Sequence, residues 1–149
     1  MTPFISILKS IALRMKNGDQ DSPLAIYFYW ICRDEADFES FKSFFLEILA
    51  IKELRTHLEL NMYVTGEMDL KSVHSEEYNQ FSGKPNWNRI FKEKAKKHAG
   101  KDIGVFLCGP GPIAAELAAA SKKHSSKRSK QLNSDEADRT IFKFHKENF

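Results

Sequence analysis

The residues whose types and spacing could do chemistry are concentrated at Gly104-Val105-Phe106-Leu107-Cys108-Gly109-Pro110. A β-branched and aromatic run ends there in a cysteine, breaks at Gly-Pro, and gives way to a helical pattern from Ile113. In an open parallel sheet, ligands sit outside the carboxyl ends of the strands, where a strand hands over to a helix. A small, polarisable side chain at that point lets a flat ring approach, and the following glycine leaves the backbone bare. A buried strand closed by an inert thiol is the plainer alternative. Arg33-Asp34 closes a second apolar run, Leu24 to Cys32. A dinucleotide's adenosine ribose is read at such a strand end, by an acid for a free hydroxyl or by an arginine for a 2′-phosphate. With Arg33 first and Asp34 second, the pair tilts towards the phosphorylated nucleotide without excluding the other, and a surface ion pair is the competing explanation for the arginine. Lys84, in the turn Gly83-Lys84-Pro85, is placed where a cation could reach the same phosphate, or could simply be solvated. Thr2 and Pro3 suit the N-cap and first position of a helix, whose free N–H groups offer an anion site or only an ordinary capped start.

Other chemistries find little support. The five histidines (His57, His74, His98, His124 and His145) show no metal-ligand spacing such as i, i+4, so no metal is expected. The run from Lys122 to Lys130 has three serines and no aromatic interleaving, which reads as part of a mobile basic loop over 122–139 rather than a nucleic-acid surface. A net charge of +3 is too small to argue for nucleic acid either. The two cysteines, Cys32 and Cys108, both end apolar runs, so reduced thiols in an intracellular compartment are expected. The longest apolar run falls far short of the roughly 20 residues a membrane span needs, and no secretory leader is visible.

The elements that must position these residues alternate along the 149-residue chain, which is sized for one domain. Phe4, Ile7, Leu8, Ile11 and Met15 share a helical face ending near Asn17-Gly18. Leu24 to Cys32 lacks polar alternation and reads as a central strand covered on both faces. Phe38, Phe41, Phe45, Ile48 and Leu49 mark an amphipathic helix with acidic residues at its start. His57 to Thr65 alternates and predicts a half-exposed edge strand; Gly66 to Gly83 reads as a polar loop with one short helix at most. A helix follows the Gly83–Trp87 turn and stops at Gly100. Asp102 to Cys108 reads as a buried strand, Pro112 to Lys123 as an alanine-rich helix, and Thr140 to His145 as a last short strand. The fold class is therefore α/β, an open parallel Rossmann-like sheet with helices on both faces.

Five stretches, in order, resemble the NADPH-binding lobe of the NADPH oxidase (respiratory burst oxidase) catalytic chains, which is a ferredoxin-reductase-type domain. Thr2-Pro3-Phe4-Ile5-Ser6-Ile7-Leu8 resembles the end of the family's glycine-rich phosphate loop and its helix. Tyr27 to Asp34 resembles its second-strand motif. Gly83-Lys84-Pro85-Asn86-Trp87 is similar to its glycine-arginine-proline-asparagine-tryptophan turn, Val105 to Pro110 to its nicotinamide motif, and Lys146-Glu147-Asn148-Phe149 to its carboxyl terminus.

The resemblance implies a division of roles. Thr2 and Pro3 would lie by the pyrophosphate and nicotinamide; Arg33 and Asp34, with Lys84 and Pro85, would meet the 2′-phosphate end of NADPH. Cys108, Gly109 and Pro110 would line the nicotinamide. Cys108, Glu147 and Phe149 would form the reacting face, with Phe149 stacked on the flavin until nicotinamide displaces it. The implied cofactors are NADPH in this domain, FAD held mainly by an upstream domain, and haem in a transmembrane domain of the full-length protein. Those domains and regulatory proteins would be its partners, at the cytoplasmic face of a membrane, with hydride passing to FAD and single electrons to oxygen. Met1 would fall inside the glycine loop, so the first, central strand would be missing and the Tyr27 and Val105 strands left with a gap between them or imperfectly closed. The isolated chain, itself soluble, would then bind NADPH weakly and show no oxidase turnover. Lys84 departs from the family's arginine and loses its planar fork. A ferric-chelate reductase lobe and a non-catalytic docking or nucleotide-sensing module are the rival readings.

Overall fold

A computed structural model describes residues 2–67, 77–125 and 140–147; the side chains of Thr2, Pro3, Ile5, Glu35, Phe38 and Ser40 are outside that description. The chain divides into two compact units, Met1–Lys84 and Pro85–Phe149. The first contains α1 (Thr2–Lys16), β1 (Ile26–Cys32), α2 (Glu35–Leu49), α3 (Lys52–Arg55), β2 (Leu58–Val64) and β3 (Asn79–Ser82). The second contains α4 (Trp87–Lys97), β4 (Asp102–Leu107), α5 (Gly111–His124) and β5 (Ile141–Lys146). All pairings are parallel, and the strands form two sheets, ordered β1-β2-β3 and β4-β5. The α/β parallel class therefore holds. β1 ends the order of the three-stranded sheet, and β4 belongs to the two-stranded one.

The first unit's core follows from alternation along its strands. Ile26, Phe28, Trp30 and Cys32 share a face with Leu58, Leu60, Met62 and Val64 in register. Phe28 meets Phe4 of α1 edge-on at 6.3 Å and Phe45 of α2 at 5.6 Å, so both helices cover that face. Phe45, Ile48, Leu54, Met62 and Val64 are the most completely buried side chains. Rings carry much of this contact, each removing a large apolar area from water.

Three sequence expectations change here. β2 is not an edge strand but the middle of its sheet, because β3 pairs along it from Asn61↔Asn79 to Val64↔Ser82. The polar alternation of β2 is accommodated rather than exposed: Asn61 is 4% accessible, donates to Glu59 at 3.0 Å and accepts from Asn79 at 3.1 Å. β1, expected to be covered on both faces, is half-buried from Ile26 to Ile31, consistent with its place at the end of the sheet. β4 alternates exposed and half-buried residues, with Phe106 at 57% accessibility stacked on His145.

In the second unit, α4 buries Trp87, Ile90 and Phe91, and Phe91 lies 4.7 Å from Phe142 of β5. Ala114, Leu117, Ala120 and Ser121 form the buried stripe of α5. Thr140 Oγ1 donates to the Ala95 and His98 carbonyls, tying the start of β5 to the end of α4. The basic loop expected over 122–139 falls outside the described residues beyond Ser125.

Candidate functional site: the carboxyl ends of the strands

Parallel register carries the candidate residues of the first unit to one edge. Cys32, Val64 and Ser82 are aligned across the three strands, so the next residues of each chain leave the sheet side by side. Thr65 and Gly66 N–H donate to the Cys32 and Arg33 carbonyls at 3.0 and 2.8 Å, and Gly83 N–H donates to Val64 at 2.8 Å. Arg33 and Lys84 therefore emerge from the same edge, both exposed. Two inter-strand spacings put their backbones about 10 Å apart, within the combined reach of two long cationic side chains. Gly83 has φ +84°, the left-handed conformation that lets the chain turn out of β3 before Lys84.

Asp34 has a structural task at this edge. Its Oδ1 accepts the Asp37 N–H at 3.0 Å, so it is the N-cap of α2. Cys32 is buried at 6% accessibility, with Sγ 3.7 Å from the Tyr63 carbonyl. Burial, reinforced by the negative charges of Asp37 and Asp34, pushes its thiol up from the ordinary value and keeps it protonated.

Thr65 and Gly66 are site residues that sequence reasoning missed. A Cβ on Gly66 would overlap the Arg33 carbonyl oxygen, leaving no space for any side chain. Thr65 Oγ1 adds a second donor to the Cys32 carbonyl at 3.2 Å. Together they fix the backbone that carries Arg33. The available signal was a threonine-glycine pair closing an alternating strand, which marks a close backbone approach.

In the second unit, Leu107 pairs with Lys146, and Glu147 N–H donates to the Leu107 carbonyl at 2.9 Å. Cys108 and Glu147 thus leave the sheet together, both exposed. Gly109 and Pro110 follow, and Pro110 stands at the N-cap position of α5. Pro85 is buried, and Asn86 caps α4 by accepting the Arg89 N–H at 3.0 Å. The expected meeting of Cys108 with Phe149 lies outside the described residues, as do the side chains of Thr2 and Pro3. A cavity of about 410 Å³ lies at the other end of β2, lined by Arg55, Leu58, Glu59, Tyr78 and Asn79. It is remote from the carboxyl ends where a parallel sheet holds its ligands.

A family model described as "Ferric reductase NAD binding domain" matches residues 1–122. The chain belongs to this family. The parallel strands of its two sheets are consistent with a Rossmann-like NAD-binding domain. The domain is 35% identical to a superoxide-generating NADPH oxidase heavy chain of Dictyostelium discoideum, with 84% of this chain and 27% of that protein aligned. It is 32% identical to NADPH oxidase 3 of Rattus norvegicus, over 100% of this chain and 28% of the relative. Identity is also 32% with respiratory burst oxidase homolog protein D of Arabidopsis thaliana, over 99% and 19%. The ferric reductase NAD-binding domain described here therefore spans about a quarter or less of the length of these relatives. No helix among its described residues is long and apolar enough to cross a membrane.

Proposed function

We propose that this chain is the NADPH-binding part of a superoxide-generating flavohaem oxidase at the cytoplasmic face of a membrane. The observation that carries the reading is the emergence of Arg33 and Lys84 from one carboxyl edge of a parallel sheet. The relatives' names, which include superoxide generation and NADPH oxidation, support it.

In this reading Arg33 offers its guanidinium fork to the 2′-phosphate and Lys84 adds a point charge from the far strand. Asp34 holds the entry of α2 through its cap, which keeps Arg33 at the strand end. Thr2 and Pro3 meet the pyrophosphate at the start of α1, and Pro85 shapes the turn behind Lys84. Cys108, Gly109 and Pro110 border the nicotinamide, and Glu147 stands beside Cys108. Gly109 fits a flat ring, because among the described residues the atoms within 4 Å of its missing Cβ belong to the flexible Leu107 side chain, the nearest at 3.3 Å. NADPH held by these residues would supply hydride chemistry, with FAD and haem contributed by other domains of the full-length protein. The chain's own contribution is to bind and orient the donor.

Titration of NADPH and NADH against the purified chain and its Arg33→Ala variant tests this. The variant should lose about tenfold or more of NADPH affinity, the scale of a charge-assisted contact, with NADH little changed. Equal loss for both nucleotides would show that Arg33 does not read the 2′-phosphate.

A ferric-chelate reductase lobe is the second reading, favoured by the description of the matching family. The two diverge at the acceptor: the full-length protein should reduce a superoxide-specific dye in the first case and a ferric chelate without oxygen in the second.

A further inference from the structure

We propose that the exposed face built by α4 and the last turn of α5 docks on an anionic bilayer surface through Lys92, Lys96, Lys122 and Lys123. The modest overall charge hides a segregation. Residues 85–149 carry 14 Lys and Arg against 7 Asp and Glu, whereas residues 1–84 carry 9 against 13. The positive unit concentrates its charge on two packed helices. α4 turns Trp87, Ile90 and Phe91 inward, and its outward face carries Arg89, Lys92, Glu93 and Lys96. Arg89 is engaged with Glu93 at 3.2 Å, which leaves Lys92 and Lys96 one turn apart on that face. Lys122 and Lys123 are exposed at the end of α5.

The two helices bring these charges together. His124 Nε2 lies 2.9 Å from Asn88 Oδ1, joining the end of α5 to the start of α4. Both Lys123 and Lys92 act electrostatically on His124, so cations from both helices share one neighbourhood. Among the described residues none of the four lysines makes an ion pair. Like charges spaced i, i+4 on a helix repel. A negative surface outside the protein relieves that repulsion.

The chemistry of the face selects the partner. Lysine is a hydrated point charge that suits a diffuse anionic surface, whereas bidentate recognition of a specific acidic motif favours arginine. α4 keeps both of its aromatic residues, Trp87 and Phe91, buried, so the face has no platform on which nucleic-acid bases could stack. Clustered lysines beside an anionic leaflet each add to binding, by about fivefold per residue. The inference rests on the proposed function, since a domain delivering electrons to a membrane-embedded acceptor works within reach of a leaflet.

The test is sedimentation of the full 149-residue chain with phosphatidylcholine vesicles, with and without phosphatidylserine. The chain should bind only the phosphatidylserine vesicles and release as salt rises. The K92Q/K96Q/K122Q/K123Q variant should weaken binding by about two orders of magnitude or more, with circular dichroism and NADPH affinity retained. Equal binding to both vesicle types would overturn the proposal. So would an unaltered quadruple variant, or full loss of binding on neutralising Lys127, Arg128 and Lys130 alone. Capture by an acidic polypeptide with no binding to phosphatidylserine vesicles would overturn it in favour of a protein partner. Loss of NADPH binding by the unmodified chain, with vesicle binding intact, would instead count against the proposed function.

Discussion

Two glycines at strand ends look alike in sequence and are under different constraints. At Gly66 an added methyl would run into the backbone carbonyl of Arg33, and backbone cannot step aside as a side chain can. Gly66→Ala should therefore break the 2.8 Å bond to Arg33, lower stability by about 1–3 kcal/mol and reduce NADPH affinity. Urea denaturation and nucleotide titration on the same preparation would measure both. At Gly109 the near neighbour is the tip of Leu107 at 3.3 Å, which can rotate. Gly109→Ala should leave the urea midpoint close to wild type. The two cysteines differ in the same way. Cys108 is exposed, whereas Cys32 is buried with its thiol held protonated. A thiol reagent followed by mass spectrometry should modify Cys108 well before Cys32, and comparable rates would refute the assignment.

The elements the sequence revealed were those with strong local signals. α1 and α2 combine apolar periodicity with recognisable starts, and the acid preceding α2, Asp34, is its cap. The strand ends of the proposed nucleotide site were legible for the same reason, since apolar runs stop abruptly at Arg33 and Cys108. β3 was not legible. Asn79-Gln80-Phe81-Ser82 has one apolar residue and no alternation, and it becomes a strand only because the side of β2 accepts its backbone. That non-local pairing also explains why alternation in β2 was a poor guide to exposure. Asn61 and Asn79 hold the junction with a side-chain bond of 3.1 Å. Asn61→Ala removes the acceptor from a site only 4% accessible, so it should cost about 1–3 kcal/mol in urea unfolding. A loss within a few tenths of a kcal/mol would mean that β3 is held by its backbone alone.

At the scale of the whole molecule, the two units carry opposite net charge, and two histidines of the positive unit are held below their ordinary value. In residues 85–149, His98 is lowered from the ordinary 6.5 by burial and then by Lys97 and Lys94. His124 is lowered by burial and then by Lys123 and Lys92. Both native imidazoles therefore resist protonation that the unfolded chain accepts near 6.5. Above 6.5 the two states bind the same number of protons at these sites, and stability is at its full value. As pH falls below it, the unfolded state binds more, so stability declines until the depressed native values are reached. The chain's two tryptophans make this measurable, since Trp30 lies in the first unit and Trp87 in the second. In a Trp30→Phe background, Trp87 fluorescence should show a urea midpoint that falls when pH drops from above 6.5 to about one unit below it. Adding His124→Gln should flatten part of that slope, because glutamine can still donate to Asn88 but takes no proton. A midpoint indifferent to pH across this window, or a slope unaltered by the second substitution, would show that His124 does not couple folding to acid.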